Sequence, residues 1–178
     1  MKKIWIGLGM FLLILPVLAF SQVTWKPYEH DISFKIKNAG VTVTGRFGIV
    51  KTELKFSPDK LAASSLKGYV EVPTIKTGID KRDKDLQEEK YFNSGKYKLV
   101  EVASTKLYKK GNQYAGEFNI TIKGETKQME IPFEFYRNGN NAEFKANFTI
   151  NRRDFGVGGD NLIMSDEVNV TIIVKAKS

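Results

Sequence analysis

The fold turns on one stretch, Tyr114-Ala115-Gly116-Glu117-Phe118-Asn119-Ile120-Thr121-Ile122-Lys123-Gly124-Glu125-Thr126-Lys127-Gln128-Met129-Glu130-Ile131-Pro132-Phe133-Glu134-Phe135. Tyr114, Gly116, Phe118, Ile120 and Ile122 alternate with polar or small neighbours, and after Lys123-Gly124-Glu125-Thr126 the odd-numbered Met129, Ile131, Phe133 and Phe135 take up the same pattern. Strict alternation marks a strand with one dry and one wet face, and a glycine-bearing turn between two such runs marks a hairpin. Working outward, the period of two recurs from about residue 30. It is carried by Ile32, Phe34 and Ile36, by Phe144, Ala146, Phe148 and Ile150, and by Val168, Val170, Ile172 and Val174. Lys109-Lys110-Gly111-Asn112 and Asn138-Gly139-Asn140-Asn141 supply further turn chemistry.

Near Gly45-Arg46-Phe47-Gly48 the apolar phase slips. Val41, Val43, Phe47 and Ile49 are odd-numbered, whereas Val50, Leu54 and Phe56 are even. A slip beside glycines predicts a bulge or sharp bend that coils a long strand into a closed wall. Eight or nine strands follow, and they must form a sandwich or a barrel, because an open sheet would leave two unpaired edges. One segment does not alternate. Asp80–Lys90 reads as a short helix with Asp80 as N-cap and Leu86 as its sole apolar residue, lying over an opening and tied down by Tyr91 and Phe92.

Composition removes several function classes. The 178 residues allow one ordinary domain plus appendages. With no cysteine, thiol catalysis and disulfide frameworks are excluded, and the single histidine, His30, leaves His-relayed triads and His-rich metal sites without parts. Asp80, Asp83 and Asp85 lack the glycine and glutamate that a calcium loop needs at its sixth and twelfth positions. No metal site and no cofactor are expected, and no spacing of acids and hydroxyls picks out a catalytic pair. A membrane barrel would turn its apolar face outward, which these Lys- and Glu-rich outer faces do not suit.

Met1-Lys2-Lys3 precedes the uncharged run Ile4–Phe20, and Ala19-Phe20-Ser21 offers a small-residue cleavage site. Residues 1–21 are therefore expected to be a secretory signal peptide and residues 22–178 the single domain. Export to the periplasm or beyond changes the meaning of the formal net charge of +8. Nucleic acid drops out as a partner, transient contact with a membrane surface enters, and the scattered lysines serve mainly as solvation.

The inward set is rich in phenylalanine: Phe34, Phe47, Phe118, Phe133, Phe135, Phe144 and Phe148. Such rings can fill a core or line an apolar tunnel, and periodicity alone does not distinguish the two.

Motifs spread through the chain add a resemblance. They are His30-Asp31-Ile32-Ser33-Phe34, Gly45-Arg46-Phe47, Ile75-Lys76-Thr77-Gly78, Lys81-Arg82-Asp83-Lys84-Asp85-Leu86, Tyr91-Phe92 with Tyr97, and the strand Leu99–Ser104. Phe118–Gly124, Ile150-Asn151-Arg152-Arg153-Asp154-Phe155-Gly156-Val157 and Asp166-Glu167-Val168 complete the series. In this order and spacing the chain resembles the YceI-like proteins, exported bacterial β-barrels, over roughly His30 to Val174. It departs from the family pattern at Asp31, where serine is usual, at Lys98, where proline is usual, and at Asp85, where histidine usually precedes the leucine.

The resemblance implies an all-β, extended antiparallel lipocalin-like barrel of about eight strands with one short capping helix. It also implies a non-enzymatic protein that holds a long-chain isoprenoid or fatty ligand. Phe34, Ile36, Val43, Phe47, Val70, Val72 and Phe92 would line the tunnel on one side. Phe118, Ile120, Ile122, Phe133, Phe135, Phe144, Phe148, Ile150, Val170 and Ile172 would complete it, with Arg82 and Asp83 at the portal as head-group candidates. The alternative is an envelope interaction module with a filled core that binds another protein or a surface. Monomer and homodimer both stay open.

Overall fold

The hairpin that opens the argument is one of a continuous series. The structure, a computed structural model, describes residues 23–178; the signal peptide expected in residues 1–21 lies outside the described residues. Ten strands are described: β1 (Thr24–Asn38), β2 (Val41–Phe47), β3 (Val50–Lys55), β4 (Ser65–Glu71), β5 (Ile75–Lys76), β6 (Leu99–Lys110), β7 (Gln113–Ile122), β8 (Glu125–Asn138), β9 (Asn141–Asn151) and β10 (Met164–Lys177). They form one sheet in the order β10-β9-β8-β7-β6-β4-β3-β1-β2-β5, and β10 also pairs with β1, from Lys26↔Lys177 to Asn38↔Met164. That last pairing closes an eight-stranded antiparallel barrel, and β2 and β5 lengthen its wall at one end. Closure pairs each of the eight barrel strands on both sides, the β1–β3 seam being the shortest, with two residue pairs.

The phase slip is a bend. β1 pairs with β2 from Ser33↔Arg46 to Asn38↔Val41, and with β3 only at Thr24↔Lys55 and Trp25↔Leu54. Between those stretches the chain leans away at Gly48-Ile49, whose N–H groups both donate to Thr74 Oγ1, at 3.1 and 3.2 Å. The gap this leaves beside β1 is bridged by His30 Nε2 and Thr52 Oγ1, 3.1 Å apart. Gly45 has a steric reason to lack a side chain. It lies opposite Phe34, and a Cβ there would sit 2.2 Å from the ring's Cζ.

Two expectations need correction. The first strand begins at Thr24, not near residue 30, because Pro27 and a register shift between Pro27 and Glu29 interrupt the alternation that would have revealed it. The helix, α1, spans only Asp80–Asp85, and its N-cap is Ile79, which offers no side-chain bond. Asp80 thus belongs to the first helical turn, and the following residues continue as turns to Tyr97.

The barrel has two unlike ends. At the base, where the turns 111–112 and 139–140 lie, the chain leaving β3 sends Phe56 onto the axis with no residual exposure. Around it stand Trp25, Tyr114, Phe133, Phe135 and Phe144, with ring centroids 4.8 Å apart for Phe56–Phe135 and 5.6 Å for Phe56–Phe144. Trp25 Nε1 donates to the Phe56 carbonyl at 2.9 Å, satisfying the one polar atom this ring buries. The rim, at the other end, carries the turns 39–40 and 123–124, α1 and the loop 156–163.

Candidate functional site: an apolar cavity beneath the rim

Above the aromatic base the inward side chains stop meeting across the axis. They surround a cavity of about 250 Å³. Its wall is built from rows that the pleat turns inward: Ile32, Phe34 and Ile36 of β1, Phe118, Ile120 and Ile122 of β7, Phe144, Phe148 and Ile150 of β9, and Val168, Val170 and Ile172 of β10. Val43, Phe47 and Val70 complete the wall, and Phe133 and Phe144 serve both as cavity floor and as the edge of the base cluster. Of the residues expected to line a tunnel, all but Val72 and Phe135 do face this space.

Those two are corrections with clear causes. Phe135 has the inward phase but lies too near the base, packed on Phe56 and Phe144 at centroid distances of 4.8 and 4.9 Å. Val72 stands just past the end of β4, in a 3₁₀ turn over Val72–Thr74 that rotates it off the strand's inward row. Period-two reasoning also passed over Leu54, Leu66, Val100 and Val102, which carry the same alternation and line the cavity.

The cover is the segment after β5. Leu86, Tyr91 and Phe92 turn towards the cavity, so the apolar residue that caps the C-terminus of α1 and the two aromatics beyond it close the space from above. Polar bonds hold this lid. Asp83 is 4% exposed, and its Oδ1 accepts from Thr77 N at 2.8 Å and Thr77 Oγ1 at 2.6 Å. Arg82 Nε donates to Thr77 Oγ1 at 2.8 Å and Nη2 to the Thr77 carbonyl at 2.7 Å. Burial works to raise the Asp83 carboxyl, but the Thr77 bonds and the nearby Lys76 and Arg82 outweigh it and hold the group below its ordinary value. Asp83 is therefore a latch on Thr77 and, unlike Arg82, does not line the cavity, which corrects its expected place at the portal. Arg82 does line the cavity, and as a planar fork with five N–H donors it keeps some for other acceptors.

A second arginine, Arg152, entered the sequence reading only as part of the Ile150–Val157 motif and was given no role. Arg152 is 3% exposed and donates to the carbonyls of Ser165 (3.0 Å), Val157 (2.8 Å), Gly159 (2.7 Å), Asn161 (3.3 Å) and Met164 (3.2 Å), and to Asp166 Oδ1 at 2.9 Å. One guanidinium thus satisfies three carbonyls of the rim loop and two at the start of β10. The signal was its position: Arg152 continues the inward row Phe148, Ile150, where a charge has no place unless it is bonded. Arg153 stays outside and pairs with Asp160 and Asp166, both at 3.0 Å.

Groups with displaced acidity sit apart from the cavity floor. His30, at the gap beside β1, is lowered by desolvation. The Tyr108 hydroxyl, donating to Glu130 on the outer wall, is pushed up to about 12 by that bond. At the rim, Asn38 lines the cavity, and its Oδ1 is buried with no hydrogen-bond partner among the described residues.

Known proteins share this fold. A family model described as the YceI-like domain matches residues 24–176. A UPF0312 protein of Vibrio cholerae is 27% identical over 169 residues, covering 88% of this chain and 89% of that protein. Among solved structures, BcnA of Burkholderia cenocepacia superposes with a TM-score of 0.80 at 25% identity, covering 83% of this chain and 96% of BcnA. A polyisoprenoid-binding domain from Saccharophagus degradans shares the fold at a TM-score of 0.67 and 13% identity, covering 87% of this chain and 97% of that domain.

Proposed function

The chain belongs to the YceI-like domain family, and on that premise we propose that it is a non-enzymatic carrier which takes one long apolar chain, tail first, into the cavity beneath its rim. The observation that carries this reading is the cavity itself, walled mainly by aliphatic and aromatic side chains, with the Phe56 cluster below it and Asn38, Arg82 and Arg152 among its polar lining at the rim. The polyisoprenoid-binding domain with the same fold supports an isoprenoid or fatty ligand class.

Elementary energetics agree. Each methylene moved from water into such a space contributes about 0.8 kcal/mol, so a chain of ~15 carbons gains roughly 12 kcal/mol gross. Ordering a flexible chain and fixing its position offset several kcal/mol of this. Tight binding then needs no strong polar contact, and selection falls on length and girth. Arg82, and the Asn38 amide across the rim, are the groups left to meet a polar head. The exported location and the cleaved leader belong to the same proposal: a carrier of this kind is needed where a lipid must cross an aqueous compartment.

Native mass spectrometry of the protein purified without detergent from its own host, followed by solvent extraction, tests the reading. A single co-purifying long-chain lipid, lost in Phe148→Asp while the circular dichroism spectrum is retained, is the expected result. A clean ligand-free mass with no uptake of added isoprenoid or fatty chains would overturn it and favour an interaction module.

A further inference from the structure

The rim carries aliphatic side chains that the fold does not use. Leu162 is 96% exposed, Val41 66% and Ile163 63%. A leucine left almost wholly in water contributes nothing to the core, and several together on one end of a barrel mark a contact surface. They are neighbours in the fold. Ala39 N donates to the Ile163 carbonyl at 2.7 Å, which ties the loop before β10 to the β1–β2 turn. Val41 is the cross-strand partner of Asn38, and Asn38 that of Met164. Asn38 and Met164 both line the cavity, so the exposed tips stand directly over its upper end.

We propose that the Val41, Leu162 and Ile163 tips dock the rim on an anionic lipid bilayer, so that the apolar ligand passes between acyl phase and cavity without crossing water. The inference rests on the carrier reading above and adds the surface and the partner. Exposure favours a bilayer over a folded protein. With 96% of its surface in water, Leu162 has almost no side-chain neighbours, and a fluid phase closes around such a side chain without needing a preformed complementary pocket. Charge favours an anionic one. Asp160 and Asp166 pair with Arg153, and Asp166 also with Arg152; Asp154 and Glu167 stand exposed, as do Lys35 and Lys37 on the outer face of β1 beside the tips. The chain as a whole carries a formal net charge of +8.

The test is co-sedimentation of the full protein with vesicles of phosphatidylethanolamine and phosphatidylglycerol, at low and at raised salt, against neutral phosphatidylcholine vesicles. Leu162→Asp is compared with Tyr136→Asp. Both add one negative charge at an exposed apolar residue, Tyr136 being 59% exposed at the base end. The expected result is binding to the anionic vesicles that falls about tenfold or more in Leu162→Asp and little in Tyr136→Asp, with both variants folded and with unchanged extractable ligand. No vesicle binding, or equal losses in the two variants, overturns the proposal. So does light scattering that shows a dimer split by Leu162→Asp, because the tips would then be covered by a second copy. Vesicle binding and ligand extraction are read separately, so a failed carrier reading and a failed docking surface are told apart.

Discussion

The two ends of this barrel use the same residue type for opposite ends. Phe133, Phe135 and Phe144 at the base interlock with Trp25 and Phe56 into a solid cluster, whereas Phe34, Phe118 and Phe148 nearer the rim face open space. The difference does not lie in β7, β8 and β9, whose alternation runs unbroken from base to rim. It lies in what occupies the axis. At the base the chain leaving β3 supplies Phe56, fully buried. At the rim no ring is driven down the axis in this way, and a lid held by Asp83, Thr77 and Arg82, with Tyr91 and Phe92 turned towards the cavity, covers the space instead. Stability and binding are thereby separated along one axis.

The largest expected effect would break that comparison at the base. Phe56→Ala removes the axial ring from a close-packed site, and a loss of about 3–5 kcal/mol is expected in urea unfolding. Phe148→Ala, beside existing empty space, should cost clearly less. Equal losses would mean that the rim is packed as the base is.

Next comes Arg152→Met, which keeps the side chain's length and removes its donors. With several loop carbonyls orphaned, a destabilisation of about 3 kcal/mol is expected, together with faster hydrogen exchange in residues 156–163. An unchanged exchange pattern would contradict the assignment of loop order to this one side chain.

The lid latch gives a smaller effect with a pH signature. Asp83→Asn should cost about 1–2 kcal/mol at neutral pH and speed ligand release. Because the folded carboxyl lies below its ordinary value of 3.8, its stabilisation is present above that value and is lost as pH falls through the lower folded one. Wild type and variant should therefore converge in stability only below about pH 3.8.

The smallest effect concerns His30. Desolvation lowers it from 6.5, so the unfolded chain binds the proton more readily and stability should decline as pH falls through 6.5 towards the folded value. His30→Asn should flatten that slope, measured by thermal unfolding between pH 5 and 8, a range about the ordinary histidine value.

Much of this was legible from the sequence, and the rest was hidden for physical reasons. A period of two tells which face of a strand is dry, so nearly the whole cavity wall was readable from Phe34 to Ile172. It does not tell height along the barrel, which is why Phe135 in the base and Phe148 in the cavity looked alike. Nor does it tell whether the space between the walls is filled, since that depends on Phe56 leaving its strand. Pro27 masked the strand that places Trp25 in the base. Asp83 looked like a head-group candidate because the backbone it binds, at Thr77, precedes the helix by a turn.

The central claim is that the rim-end cavity takes an apolar chain by length. Titrating ligand-stripped protein with a homologous series of unbranched alcohols tests it most directly. The account predicts that affinity rises about fourfold per added methylene, the equivalent of ~0.8 kcal/mol, until the chain reaches the Phe133–Phe144 floor, and then levels off. Affinity that is independent of chain length, or that tracks only the head group, would contradict it.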